Sequence, residues 1–407
     1  MFRNCSRVLG GALVLSLTLS AQTFTTLYNF GSYEYDGAAP KARVILGPLG
    51  VLCGTTYAGG ESSAGTVYEL LPPASPGGAW TELVLHSFNF TDGESPAAVV
   101  EMGPSGALYG VANDVAFELR PPMGGNTHWP YTVIYQFTEG GSNPSGALVF
   151  DTGQSLYGAA EAQNGGTVYS LTPASTAGGD WTQTILYSFP GGSGGQAPLG
   201  TLAVSGNGTL FGVAALGGRT NSLCPYGCGM VFSLTPPTVS GGPWAEKVLY
   251  AFEAQTGDGK YPVAGVVIGP NGVLYGTTYN GGGAGCSCGT VFSLIPPGVP
   301  GRPMTETILH SFTGPDGTNP SSSLVLGSNG VLYGTTEGGG ASGDGIVFEL
   351  SPPASPGGSW SETILHTFAG TDAAKPNGLA LGADGTLYGT AESGGAFNHG
   401  TVFSVTP

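Results

Sequence analysis

Leu332-Tyr333-Gly334-Thr335-Thr336 decides how this chain is read, because the segment or a close variant of it occurs seven times. The other copies begin Leu52-Cys53-Gly54, Leu108-Tyr109-Gly110, Leu156-Tyr157-Gly158, Leu210-Phe211-Gly212, Leu274-Tyr275-Gly276 and Leu387-Tyr388-Gly389. Successive glycines lie 56, 48, 54, 64, 58 and 55 residues apart. A repeat of that length is one supersecondary unit that cannot bury its own apolar face, so the copies must pack on each other.

Each copy holds four apolar segments. In the last one, Gly378-Leu379-Ala380-Leu381 is followed by the turn Ala383-Asp384-Gly385 and by Thr386-Leu387-Tyr388-Gly389-Thr390. A Gly-rich loop, Ser393-Gly394-Gly395, leads to Thr401-Val402-Phe403-Ser404-Val405. The preceding copy adds a Pro/Gly stretch, Pro352 to Gly358, and a fourth segment, Trp360 to Phe368. Short runs of β-branched and aromatic residues bounded by Gly, Pro, Asp and Asn read as strands. No stretch past the leader has sustained helical periodicity. Four strands per copy at this repeat length predict propeller blades, ahead of a β-solenoid with its shorter rungs.

The two ends of the chain predict closure. First, second and third strands occur seven times, but a fourth follows only six of them, ending at Phe88, Phe137, Phe189, Phe252, Phe312 and Phe368. Leu27-Tyr28-Asn29-Phe30 matches Leu186-Tyr187-Ser188-Phe189 and supplies the missing one. The expected fold is all-β: a seven-bladed propeller with four-stranded blades over residues 22–407, its N-terminal strand completing the C-terminal blade and leaving no open edge.

Residues 1–21 read as a secretory signal peptide. Arg3 and Arg7 precede an apolar run, Val8 to Leu19, that is short for a bilayer span. Cleavage is expected close to Ala21; an N-terminal membrane anchor is the competing reading. The chain of 407 residues carries a formal charge of −16, which becomes −18 once Arg3 and Arg7 leave. Such a surface repels phosphate backbones, so nucleic acid is excluded as a partner. A secreted or cell-surface monomer is expected, with no membrane span in the mature chain.

Several registers recur. His86, His310 and His366 lie two residues before a strand-ending Phe, where Tyr28, Tyr135, Tyr187 and Tyr250 stand in other copies. That slot takes a ring with a polar tip, a structural role. Trp80, Trp129, Trp181, Trp244 and Trp360 lie eight before the Phe, with Met304 in the sixth copy, and are expected to pack between blades. Asp36, Asp92, Asp258, Asp316 and Asp372 sit four before a recurring Pro, in loops on one propeller face. They are the ligand-binding candidates, as an acidic ring for a cation or a polyhydroxylated ligand. The alternative is an Asp bonded to its own turn. One Asp per loop does not build a calcium cage, so no metal and no cofactor is expected.

Cys224, Cys228, Cys286 and Cys288 lie in equivalent loops of the fourth and fifth blades. In an exported chain they are disulfide candidates with three possible pairings; zinc ligation and free thiols are the alternatives. Cys53 is expected as a buried thiol. No nucleophile elbow, zinc-protease motif, phosphate loop or calcium loop occurs. No catalytic residue is therefore assigned.

Leu-Tyr-Gly-Thr-Thr, Gly-Thr-Val-Phe, Pro-Pro, Trp-x-Glu-x-x-Leu-His-Ser-Phe and Asp-Gly-x-x-Pro together resemble the GloVer-type tandem repeat of exported bacterial proteins. Val273 to Phe312 and Val331 to Phe368 match it closely. The second copy departs, because Tyr109 to Val115 lacks the Gly-rich loop. The resemblance implies an exported repeat protein and no particular activity. The expected function is a non-catalytic binding or scaffold module with a glycan or protein ligand. The alternative is a secreted carbohydrate-active hydrolase or lyase using carboxylates near the channel.

Overall fold

In the computed structural model, every glycine of the seven-fold segment lies directly across from an aromatic ring on the next strand. The pairs are Gly54–Tyr68, Gly110–Phe117, Gly158–Tyr169, Gly212–Phe232, Gly276–Phe292, Gly334–Phe348 and Gly389–Phe403. A methyl group at any of these glycines would come within 2.4–2.7 Å of the ring. Carbon atoms pack at about 3.5–4.0 Å, so only glycine leaves room for the ring to lie over the strand. The seven rings are fully buried.

The structure describes residues 22–407 except 76, 125–126, 138–142, 152, 163–164, 175–179, 240, 254, 256, 284, 300–301 and 356. The expected signal peptide, residues 1–21, lies outside them. The described chain forms seven antiparallel blades, at residues 45–87, 101–136, 143–188, 196–251, 267–311, 325–367 and 374–406, and two small two-stranded ladders, Gly37–Ala38 with Ala58–Gly59 and Gly259–Lys260 with Asn280–Gly281. Each blade runs from a first strand to a fourth, and the seventh takes Thr23–Asn29 as its fourth. Thr23 pairs with Thr406 and Asn29 with Thr401. The described residues contain no α-helix, only three-residue 3-10 turns.

The fourth strands share a feature that the sequence does not announce. In each, a β-bulge leaves one residue out of register: Leu27, Leu85, Ile134, Leu186, Leu249, Leu309 or Leu365. A bulge bends the strand and increases its twist. The strand-ending Phe that follows packs edge-on against the third-strand ring of the next blade. Phe88 meets Phe117 at 5.5 Å, Phe312 meets Phe348 at 5.3 Å, and Phe30 of blade 7 meets Tyr68 of blade 1 at 5.1 Å. The tryptophans also pack between blades: Trp181 on Tyr109, Trp244 on Tyr157, Trp360 on Tyr275 and Trp80 on Tyr388. Cys53 replaces the tyrosine in blade 1, and Trp129 shares its core cluster.

Candidate functional site

The first strands of the seven blades surround a central channel. Their backbones approach closely: a Cβ on Gly146 would stand 2.2 Å from the Gly200 carbonyl oxygen. Hydrogen bonds tie neighbouring blades there, from Ser145 Oγ to the Pro198 carbonyl (2.6 Å), from Asn377 Nδ2 to the Pro40 carbonyl (2.7 Å) and from Thr390 Oγ1 to the Ala42 carbonyl (2.8 Å). The opening encloses about 840 Å³, within the usual size of a small-ligand site. Ala, Val, Leu, Ile, Gly and Ser line most of it, and no carboxylate is among the described lining residues.

Two cations break that pattern, Lys41 and Arg43. Lys41 is engaged, with Nζ 3.8 Å from Glu392 Oε1 and 3.7 Å from the Tyr57 ring centroid. Arg43 is less so. Nη1 donates to the neighbouring Val44 carbonyl at 3.2 Å, and the described residues offer the guanidinium no ion pair within 4 Å. Burial holds its pKa below the ordinary arginine value, and the charge of Glu101 opposes that shift. Arg43 stands three residues after Pro40, and Val99, Ala147, Thr201, Gly265 and Ser323 hold that place after their own prolines. Sequence reasoning passed over Arg43. The signal was its charge in a register that is elsewhere small or uncharged.

The aspartates lie elsewhere, at the junctions between blades. The structure does not gather them into one group. Each carboxylate accepts a backbone N–H from its own turn: Ser32 to Asp36 (2.8 Å), Asn89 to Asp92 (3.0 Å), Glu253 to Asp258 (2.7 Å), Thr313 to Asp316 (2.7 Å) and Ala369 to Asp372 (2.9 Å). Four of them also meet the polar tip of the ring before the strand-ending Phe. Tyr28 donates to Asp36 at 3.0 Å, and Nε2 of His86, His310 and His366 lies 3.2, 3.2 and 2.7 Å from Asp92, Asp316 and Asp372.

In six junctions a third residue joins from the fourth strand of the next blade, six before its Phe. Tyr28 donates to Glu82 (3.3 Å), Tyr135 to Gln183 (3.1 Å) and Tyr250 to Glu306 (2.7 Å). His86 stacks on Tyr131 and His366 on Phe24, with centroids 3.9 and 3.8 Å apart. His310 faces Glu362 at 3.5 Å. Burial is the main cause that pushes Glu82 up to about 8, Glu306 to about 7 and Glu362 to about 8. These glutamates were also missed, because their partners are a blade away in sequence.

The cysteines pair within their loops. Cys224 is bonded to Cys228 and Cys286 to Cys288, with Cα atoms 5.1 and 5.2 Å apart, and Cys53 is free and buried. No helix among the described residues is long and apolar enough to cross a membrane.

The Gloeobacter/Verrucomicrobia repeat matches residues 116–292 and 286–407, and the chain belongs to that family. A comparison with curated proteins finds no match. Among solved structures, an inactive virginiamycin B lyase from Staphylococcus aureus with quinupristin is similar over 95% of this chain and 99% of its own, at 12% identity and a TM-score of 0.55. A putative 6-phosphogluconolactonase from Bacteroides uniformis is similar over 86% and 89%, at 14% identity and 0.54. A periplasmic gluconolactonase from Pseudomonas aeruginosa is similar over 79% and 84%, at 12% identity and 0.51. At these identities the likeness is one of fold.

Proposed function

We propose that this member of the Gloeobacter/Verrucomicrobia repeat family is an exported binding module that holds an anionic, partly apolar ligand in its central channel without converting it. Arg43 carries this reading. A guanidinium presents five N–H donors in a planar fork that matches a carboxylate. Arg43 spends one on its neighbour's carbonyl, in a channel whose other side chains, Lys41 and Asn377 apart, are small or apolar. A half-buried cation with spare donors is best satisfied by an anion. Binding is favoured over hydrolysis because glycoside cleavage uses a pair of facing carboxylates, and none is among the described channel residues.

Export rests on the basic start and short apolar run of residues 1–21. Cysteine pairs in the exposed loops of blades 4 and 5 suit an oxidising compartment. Asp36, Asp92 and Asp372 are read as turn caps and ring partners, and Asp258 as a turn cap, rather than as a ligand ring.

A thermal-shift panel tests the channel reading. Gluconate, glucuronate and short acidic peptides are compared with neutral counterparts on the wild type and on Arg43→Val. Valine stands at the equivalent place in blade 2, as Val99, so the variant should fold. At least one carboxylate should raise the Tm of the wild type and not of the variant. Equal shifts in both proteins, or shifts by neutral compounds alone, would overturn the assignment.

A further inference from the structure

His310, Asp316 and Glu362 meet where blade 5 joins blade 6, and this junction combines groups that the others keep apart. Where a tyrosine holds the ring slot, its hydroxyl donates to a glutamate or glutamine in three junctions. Where a histidine holds it, the next blade answers with a stacking ring, Tyr131 or Phe24. At His310 the next blade brings a carboxylate instead.

We propose that His310, Asp316 and Glu362 bind a divalent transition-metal ion of the zinc or manganese class. Nε2 of His310 lies 3.2 Å from Oδ2 of Asp316 and 3.5 Å from Oε2 of Glu362. One ligand atom from each residue lies within 4.8 Å of the others. In a tetrahedral zinc site with bonds of about 2.0–2.1 Å, donor atoms stand roughly 3.3 Å apart. The two separations from the imidazole match that spacing, and the third lies within reach of it. Asp316 is held by its turn: Oδ1 accepts from the backbone N–H (2.7 Å) and the hydroxyl (2.8 Å) of Thr313, which leaves Oδ2 facing the imidazole. Such outer contacts orient metal ligands.

A second observation points to a missing partner. Oε1 of Glu362 is buried with no hydrogen-bond partner. Between Asp316 and Glu362, a neutral imidazole has at most one proton to share. The three side chains remain 19%, 21% and 12% exposed, so an ion can enter with its waters. One imidazole and two carboxylates suit zinc or manganese, whereas calcium takes about six to eight oxygens. Bound there, the ion would pin the fourth strand of blade 5 to that of blade 6.

The test is calorimetric titration of zinc, manganese and calcium chlorides into the purified, chelator-stripped protein at neutral pH. The wild type should take up one equivalent of zinc or manganese. His310→Tyr recreates the Tyr250–Glu306 pairing and should fold, as its unfolding curve without metal will confirm. It and Glu362→Gln should each weaken binding at least tenfold, while His86→Tyr, at another junction, should leave it unchanged. No saturable binding by the wild type, a loss below tenfold in both variants, or tighter binding of calcium than of zinc would each overturn the proposal.

Discussion

Phe24 lies face to face on His366, with ring centroids 3.8 Å apart and planes 6° apart. One ring belongs to the first strand of the described chain and the other to the fourth strand of blade 6. On the other side of that first strand, Tyr28 donates to Glu82 and Phe30 packs on Tyr68, both in blade 1. The N-terminal strand thus makes both contacts that an outer strand makes elsewhere in the ring. Phe24→Ala should cost about 2–4 kcal/mol, read from urea unfolding. Deleting residues 22–30 should lower the unfolding midpoint further. An unchanged midpoint in the deletion would mean that the strand does not close the ring.

Gly276→Ala should destabilise the protein by about 1–3 kcal/mol, the usual cost of overpacking. Its Cβ would stand 2.6 Å from the ring of Phe292. Gly298, which has open space around the same position, is the control. Gly298→Ala should stay within about 0.5 kcal/mol of wild type. Equal Tm values for the two variants would remove the steric account of the repeat.

The repeat and the closure were legible because their signals are local. A glycine, a turn and a strand-ending Phe can be counted along the chain, and the count at the two ends assigned Phe24–Phe30 to the last blade, where the strand runs Thr23–Asn29. The junctions were not legible in the same way. Glu82, Glu306 and Glu362 look like solvated strand residues until blade stacking sets them against Tyr28, Tyr250 and His310. A signal did exist in the covariation between copies. His86 and His366 are followed one blade later by Tyr131 and Phe24, whereas Tyr28 and Tyr250 are followed by Glu82 and Glu306. The seven bulges left no trace in the sequence, because a bulge changes pairing and not composition.

Glu82 should make stability fall as pH rises. Its folded pKa, about 8, lies above its ordinary 4.5. Between those values the folded state binds the proton and the unfolded state does not, so the slope of stability against pH is negative. The contribution is full below about 4.5 and is lost by about 8. His86 and His310, whose pKa values are lowered, act in the opposite sense just below 6.5. Tyr33 also donates its hydroxyl to Glu82, at 2.5 Å; Glu82→Gln can still accept from Tyr28 and Tyr33, and should flatten the decline in Tm between pH 5 and 8. A slope identical to wild type would show that Glu82 ionises freely in the folded protein.

Thiol counting tests the cysteine pairing. Burial, reinforced by Glu69, pushes the Cys53 thiol up to about 12. The native protein spanning residues 22–407 should therefore react very slowly with a thiol reagent. Once denatured without reductant it should release one thiol, because Cys224–Cys228 and Cys286–Cys288 are bonded. Five thiols on denaturation would refute both bonds.

The central claim is that the channel binds an anion at Arg43 and leaves it unchanged. The most direct measurement follows the carboxylate that shifts the wild-type Tm most, by mass spectrometry during prolonged incubation with the protein. The account predicts that the compound is recovered intact, is retained at one equivalent per chain, and is not retained by Arg43→Val. Accumulation of a new product beyond one equivalent would contradict it and make this propeller an enzyme.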